Sequence, residues 1–106
     1  MSDYRVVYIT SPSEEQSELL AYALVNERLA ACVNIVDKVR SIYRWKDTLC
    51  DDSEQLLIVK TTTARLEALI KRVKHLHPYD TPEIIALPID AGDADYLKWI
   101  HAQTKP

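Results

Sequence analysis

The sequence predicts an α+β domain of the ferredoxin-like plan, β-α-β-β-α-β followed by a C-terminal helix. Three observations predict it. Runs rich in Val, Ile and Tyr alternate with apolar stripes at helical spacing in the order that plan requires. The two central extended runs are joined by a short polar stretch, which reads as a hairpin. The chain has 106 residues, enough for one modest core, so residues 1–106 form a single domain.

The first strand is Tyr4–Ser11, which ends at a serine-proline turn. Ser11 can cap the next helix, with Pro12 at its first position and Glu14 closing a capping box; Ser13 with Gln16 is the rival register. The helix is expected to run to about Leu29, with Leu20, Ala23, Leu24 and Glu27 at helical spacing. Residues 31–46 are extended, residues 47–53 read as a polar turn, and residues 54–62 return as the second arm of the hairpin. Thr62 or Thr63 caps a second helix, striped by Leu66, Leu69, Ile70 and Val73 and stopped by Pro78. Residues 83–89 form the fourth strand, where Pro88 requires a sheet edge or a bulge. Asp93 caps the closing helix.

Composition bounds the function. With 47% hydrophobic and 27% charged residues, the chain reads as a globular domain, and its formal charge of −3 argues against a general nucleic-acid binder. It contains no apolar run near the ~20 residues of a membrane span, and its first residues lack a signal-peptide layout. Cys32 and Cys50 show no CxxC spacing. A cytoplasmic protein without membrane insertion is the expectation.

The strands are apolar on both sides, as at Val6–Ile9, Leu56–Val59 and Ile84–Leu87, yet two helices cover only one face of such a sheet. Residues 31–46, at ~3.3 Å each, would span roughly 50 Å, against a diameter of about 34 Å for a compact chain of this size. The hairpin therefore bends, at a bulge near Asp37–Lys38, or projects as an arm bearing Ile42, Tyr43 and Trp45. A projecting arm exposes apolar surface and an unpaired edge, which a second copy of the chain would cover. An oligomer is expected.

The segments LAACVNIV, RSIYRW, KTT, HPYDTPEIIALPI and DYLKWI, in this order, closely resemble the CutA family of divalent-cation-tolerance proteins over nearly the whole chain. The resemblance implies a homotrimer with a PII-like architecture and a role in tolerance to heavy metals, copper in particular. Copper or another divalent cation is the implied ligand, with none required for folding, and a protein partner is a further possibility. Two positions match with ligand chemistry, Cys32 and His77. Some relatives carry a cysteine where this chain has Ile9 and a second histidine where it has Leu76, so any metal set here is partial. His77 reads more simply as the residue that ends a helix before proline, where a cation is favoured. Cys32 reads more simply as a small core hydrophobe.

In the family, the positions of Tyr43, Trp45, Lys60, Thr61, Tyr79 and Glu83 contribute to clefts between protomers. An ammonium, a carboxylate, hydroxyls and aromatic faces suit a small polar or anionic ligand; a Lys60–Glu83 salt bridge is the plainer alternative. Cys50 is expected in an exposed turn, and His75 and His101 at the surface. Gly92 is the sole glycine, and no phosphate loop, nucleophile elbow or HExxH motif occurs. The expectation is a binding protein, not an enzyme, acting in metal tolerance, as a PII-like ligand sensor or as a trimeric scaffold.

Overall fold

The computed structural model describes residues 2–106. The elements are β1 (Tyr4–Ser11), α1 (Glu14–Asn26), β2 (Cys32–Trp45), β3 (Thr48–Thr62), α2 (Thr63–Leu76), β4 (Ile84–Pro88) and α3 (Ala94–Gln103). The strands form one sheet in the order β2-β3-β1-β4, every neighbouring pair antiparallel. This is the expected plan. Pro88 ends β4, which pairs only with β1, so its missing N–H costs the ladder little.

Helix ends follow local chemistry. Ser13 caps α1, its hydroxyl accepting from the backbone N–H of Gln16, so the rival register is the one adopted. Ser11 is buried, and its Oγ lies 2.8 Å from that of Ser17, fixing the entry to the helix instead. The helix ends at Asn26, short of the expected Leu29. Arg28 takes a left-handed conformation (φ 60), and the N–H groups of Arg28 and Leu29 donate to the carbonyls of Val25 and Leu24. That is a Schellman motif; it lets Leu29 fold back onto Leu24 in the core. Helical spacing continues past a terminator that contains no glycine, which is why the sequence misplaces the end. Thr62 precedes α2 without a side-chain cap, while Asp93 caps α3 by accepting from Tyr96 N.

The hairpin turn lies elsewhere than expected. Lys46 and Asp47 alone make it, both with positive φ (48 and 64), the backbone of a two-residue type I′ turn. Residues 48–53 are strand, opposite β2, and Cys50 faces Tyr43 across the ladder rather than sitting in a turn. A polar strand with little burial carries no apolar alternation to betray it. The bulge is where the sequence placed it: the register shifts between Val36 and Val39, and Lys38 has φ 61. Asp37 accepts from Gln55 Nε2 and Lys38 N there, and these bonds hold its carboxyl below the usual range.

The core lies between the sheet and helices α1 and α2. Val7, Ile9, Leu57 and Val59 point from one sheet face onto Leu20, Leu24, Leu69 and Val73, all fully buried. At 25–30 cal/mol per Å², a fully buried Leu or Val side chain contributes roughly 1.5–3 kcal/mol. The opposite face, with Val36, Ile85 and Leu87, stays exposed in the single chain. At one end α3 packs on β3 and buries Ile100 apart from the main core. Beyond the bulge β2 and β3 pair only with each other, making an arm that stretches the protomer to 44 Å against 25 and 22 Å in the other directions.

Candidate functional site

A cleft of about 780 Å³ opens between the arm and the segment after α2. The arm supplies Tyr43, Trp45, Asp52 and Glu54; the segment supplies Tyr79 to Glu83; Thr10 lies between them. The bulge decides which arm residues look inward. Before it, odd-numbered residues of β2 lie on the helix side, as Val33 does opposite Val59. One extra residue inverts the alternation, so Val39, Tyr43 and Trp45 lie on the face of Glu54 and away from the core.

His77 fastens the other wall. It is buried, its Nε2–H donates to the Thr10 carbonyl at 2.8 Å, and its Nδ1 accepts the Tyr79 N–H at 3.2 Å. The Tyr79 N–H can donate only to an unprotonated Nδ1, which fixes the ring as the neutral Nε2–H tautomer. Pro78 forces the extended backbone at His77 that makes both bonds reachable (φ −75, ψ 140). The same turn presents Tyr79, whose hydroxyl donates to Glu54 Oε2 at 3.1 Å. Burial first, then this bond, pushes the Tyr79 hydroxyl up to about 12. Across the cleft the Tyr43 hydroxyl donates to Asp52, which raises Tyr43 as well. Both phenols are thereby held as neutral donors to carboxylates.

The lining carries Asp52, Glu54, Asp80 and Glu83 and no Lys, Arg or His. Of the residues that the sequence proposes for clefts between protomers, Tyr43, Trp45, Tyr79 and Glu83 line this cleft of the single chain. Lys60 and Thr61 do not. Lys60 Nζ donates to Asn34 Oδ1, and Lys60 lies opposite Cys32 in the ladder. Thr61 is fully buried and donates to the Leu29 carbonyl at 2.6 Å. The ion pairs among the described residues are Arg40–Asp51 and Arg72–Glu27, so Lys60 and Glu83 form no salt bridge in the protomer. Within the single chain the cleft lining is therefore acidic, with the Lys60 ammonium directed to Asn34 instead.

Cys32 and His77 are not brought together within one chain. Cys32 faces Lys60, whereas Thr10, to which His77 is bonded, faces Leu56 further along β3. That separation is roughly 13 Å along the strand. Both His77 nitrogens are committed to backbone, and Cys32 Sγ lies 3.9 Å from Asn34 Oδ1 with an ammonium for a neighbour. Among the described residues no group of three or more His, Cys, Asp and Glu is poised around a metal ion. A soft-metal centre on Cys32 and His77 therefore does not fit a single protomer. His75 and His101 are exposed as expected. Sequence reasoning misses Asp52, Glu54 and Asp80. The usable signal is the spacing of Asp52 and Glu54, two residues apart and so on one face of a strand, but their polar run reads as a turn.

No helix among the described residues is long and apolar enough to cross a membrane. A family model described as CutA1 divalent ion tolerance protein matches residues 5–103. The chain is 57% identical over 99 residues to the divalent-cation tolerance protein CutA of Thermus thermophilus, covering 93% of this chain and 96% of that protein. A solved structure of the divalent cation tolerance protein from Thermus thermophilus superposes with TM-score 0.94 at 55% identity, covering 96% of this chain and 99% of that one. The crystal structure of CutA1 from Oryza sativa superposes with TM-score 0.95 at 45% identity, over 98% of this chain and 95% of the other.

Proposed function

Because the chain belongs to the CutA1 divalent ion tolerance family, we propose that it acts in cation tolerance as a cytoplasmic homotrimer that binds divalent cations, copper among them, at its cleft carboxylates. The observation that carries this reading is a cleft lined by Asp52, Glu54, Asp80 and Glu83 with no basic residue. Carboxylate and hydroxyl oxygens suit hard and borderline divalent ions, and copper(II) ranks high on any oxygen or nitrogen site. These carboxylates are not gathered into a three-ligand cluster within the described residues, so the cation is held by summed charge and exchanges readily. Holding it calls for no nucleophile or acid–base pair, so the role is binding rather than catalysis.

Assembly follows from what one chain leaves bare. Trp45, Ile85 and Leu87 are each more than two-fifths exposed, and the arm has two free edges beyond the bulge. Copies of the chain supply the matching surface, and the number three and the PII-like arrangement rest on the family resemblance. Sedimentation at micromolar protein is expected to give a trimer; a folded, soluble monomer overturns that part of the reading.

Calorimetric titration with copper(II) and magnesium tests the cation site. The double variant Asp80→Asn, Glu83→Gln is expected to weaken binding by about tenfold or more. If Cys32→Ser alone lowers copper affinity, the thiol holds the soft cation and the cleft reading for copper fails.

A further inference from the structure

Of the three histidines, the fold encloses His77 and leaves His75 and His101 exposed. The cation reading makes no use of it. Its ring joins two parts of the protomer that are far apart in sequence, with Nε2–H donating to the Thr10 carbonyl near the end of β1 and Nδ1 accepting the Tyr79 N–H. With both nitrogens spent on backbone, the ring has no lone pair left for a metal ion.

The two bonds respond differently to a proton. An imidazolium donates from both nitrogens, so the bond to Thr10 survives protonation. The bond at Nδ1 does not: the new N–H faces the Tyr79 N–H, two donors 3.2 Å apart with no acceptor between them. The Tyr79 peptide must then turn away, and its side chain goes with it. In the closed form that ring lies against His77, centroids 4.8 Å apart, and its hydroxyl donates to Glu54. Other charges around the ring come from its neighbours in the fold. Strand β1 meets it with the Thr10 carbonyl, β3 brings Glu54 on the far side of Tyr79, and its own segment carries Asp80. Helix α2 ends in Lys74 and His75, both exposed, and His77 is itself the C-cap, where the helix end favours a cation.

We propose that His77 is a pH-sensitive latch: neutral, it pins the segment from Pro78 to Glu83 against β1, and protonated at Nδ1 it lets Tyr79 go and opens that wall of the cleft. One proton per protomer, taken from solvent, drives the change. The latch lies within a single chain, between Thr10 and Tyr79, so it stands whether or not the cleft binds a cation.

The test follows the histidine ring nitrogens and the Tyr79 amide by NMR in the full-length protein, from about pH 8 to about pH 5. EDTA is present throughout, so that no stray metal competes for the ring. The His77 signals are assigned by their loss in His77→Gln, whose side-chain amide still reaches for Thr10 and carries no titrating group. At the alkaline end His77 is expected to show the Nε2–H tautomer. On acidification the Tyr79 amide is expected to shift in step with the His77 ring and to lose about tenfold or more of its protection from exchange, corrected for the intrinsic rate. The core amide of Leu57 stays unchanged, which sets latch opening apart from global unfolding. In Glu54→Gln the Tyr79 transition is expected to persist, and in His77→Gln to vanish. The proposal is overturned by an Nδ1–H tautomer at the alkaline end, by a His77 that stays neutral across the range, or by one that takes up its proton with Tyr79 unmoved. It is equally overturned if Leu57 changes together with Tyr79, if the transition disappears in Glu54→Gln, or if it survives in His77→Gln.

Discussion

Strands β2 and β3 run through two environments, and the contrast between them explains most of the molecule. In the body, Leu57 and Val59 are completely buried beneath α1 and α2. Past the bulge, Ile42 is 62% exposed and Leu49 68%. The same two strands thus contribute to stability in one half and leave large apolar side chains such as Ile42 and Leu49 bare in the other. For residues such as Ile42 and Leu49 it is what lies on top of the strand, not strand propensity, that sets the difference from Leu57 and Val59. The body is a core closed within one chain. The arm leaves its apolar side chains bare in the single chain and forms one wall of a cleft, and its order rests on the turn and the bulge.

The largest expected effect lies in the body. Leu57→Ala removes a side chain from the centre of the core and is expected to cost about 2–5 kcal/mol in urea unfolding. Ile42→Ala in the arm is expected to stay within about 0.5 kcal/mol of the parent for an unassembled chain. A cost for Ile42→Ala near that of Leu57→Ala would show that the arm is as deeply buried in solution as the body, and the contrast would belong to the lone protomer only.

The next effect is on assembly. Trp45→Asp puts a charge on the arm where an aromatic surface is offered, and is expected to weaken association by about 2 kcal/mol or more, roughly thirtyfold. Far-UV circular dichroism should hardly change, because Trp45 lies outside the core cluster. An equally tight oligomer by sedimentation means that Trp45 is no interface anchor. Thermal unfolding of the parent should also rise with protein concentration, as it must when dissociation accompanies unfolding. A reversible transition independent of concentration contradicts the coupling.

The smallest effect concerns the arm's own turn. Lys46 and Asp47 both adopt positive φ, a conformation that favours Asn and Gly. Lys46→Asn with Asp47→Gly is expected to stabilise the hairpin by up to about 1 kcal/mol, read as slower amide exchange between residues 40 and 53. No change in exchange would mean that the arm opens from its root at the bulge rather than from its tip.

Much of this fold is legible in the amino-acid sequence. The order of elements, the edge position of Pro88, the capping by Asp93 and the bulge beside Asp37 all follow from short-range rules, because each depends on residues within a turn or two of one another. The turn at Lys46–Asp47 is not legible, since neither residue announces positive φ, and the acidic run Asp51–Glu54 disguises a strand as a loop. The Schellman end of α1 hides for the same reason, with Arg28 standing where glycine is usual.

The candidate site divides along the same line. Sequence alone could nominate Tyr43, Trp45, Tyr79 and Glu83 from their resemblance to family positions, and chain order could place them on the arm and after α2. It could not decide their company. Which way Tyr43 and Trp45 face is set by a single inserted residue that inverts the alternation of a strand. Whether Lys60 reaches the cleft is set by Asn34, 26 residues away in the chain and beside it in the sheet. Whether His77 is free to bind metal is set by the Thr10 carbonyl, 67 residues away. Local propensities are properties of neighbouring residues and survive in the sequence. The sign of charge in the cleft and the freedom of its ligands are sums over groups brought together only by the closed sheet, so the tertiary structure alone decided them.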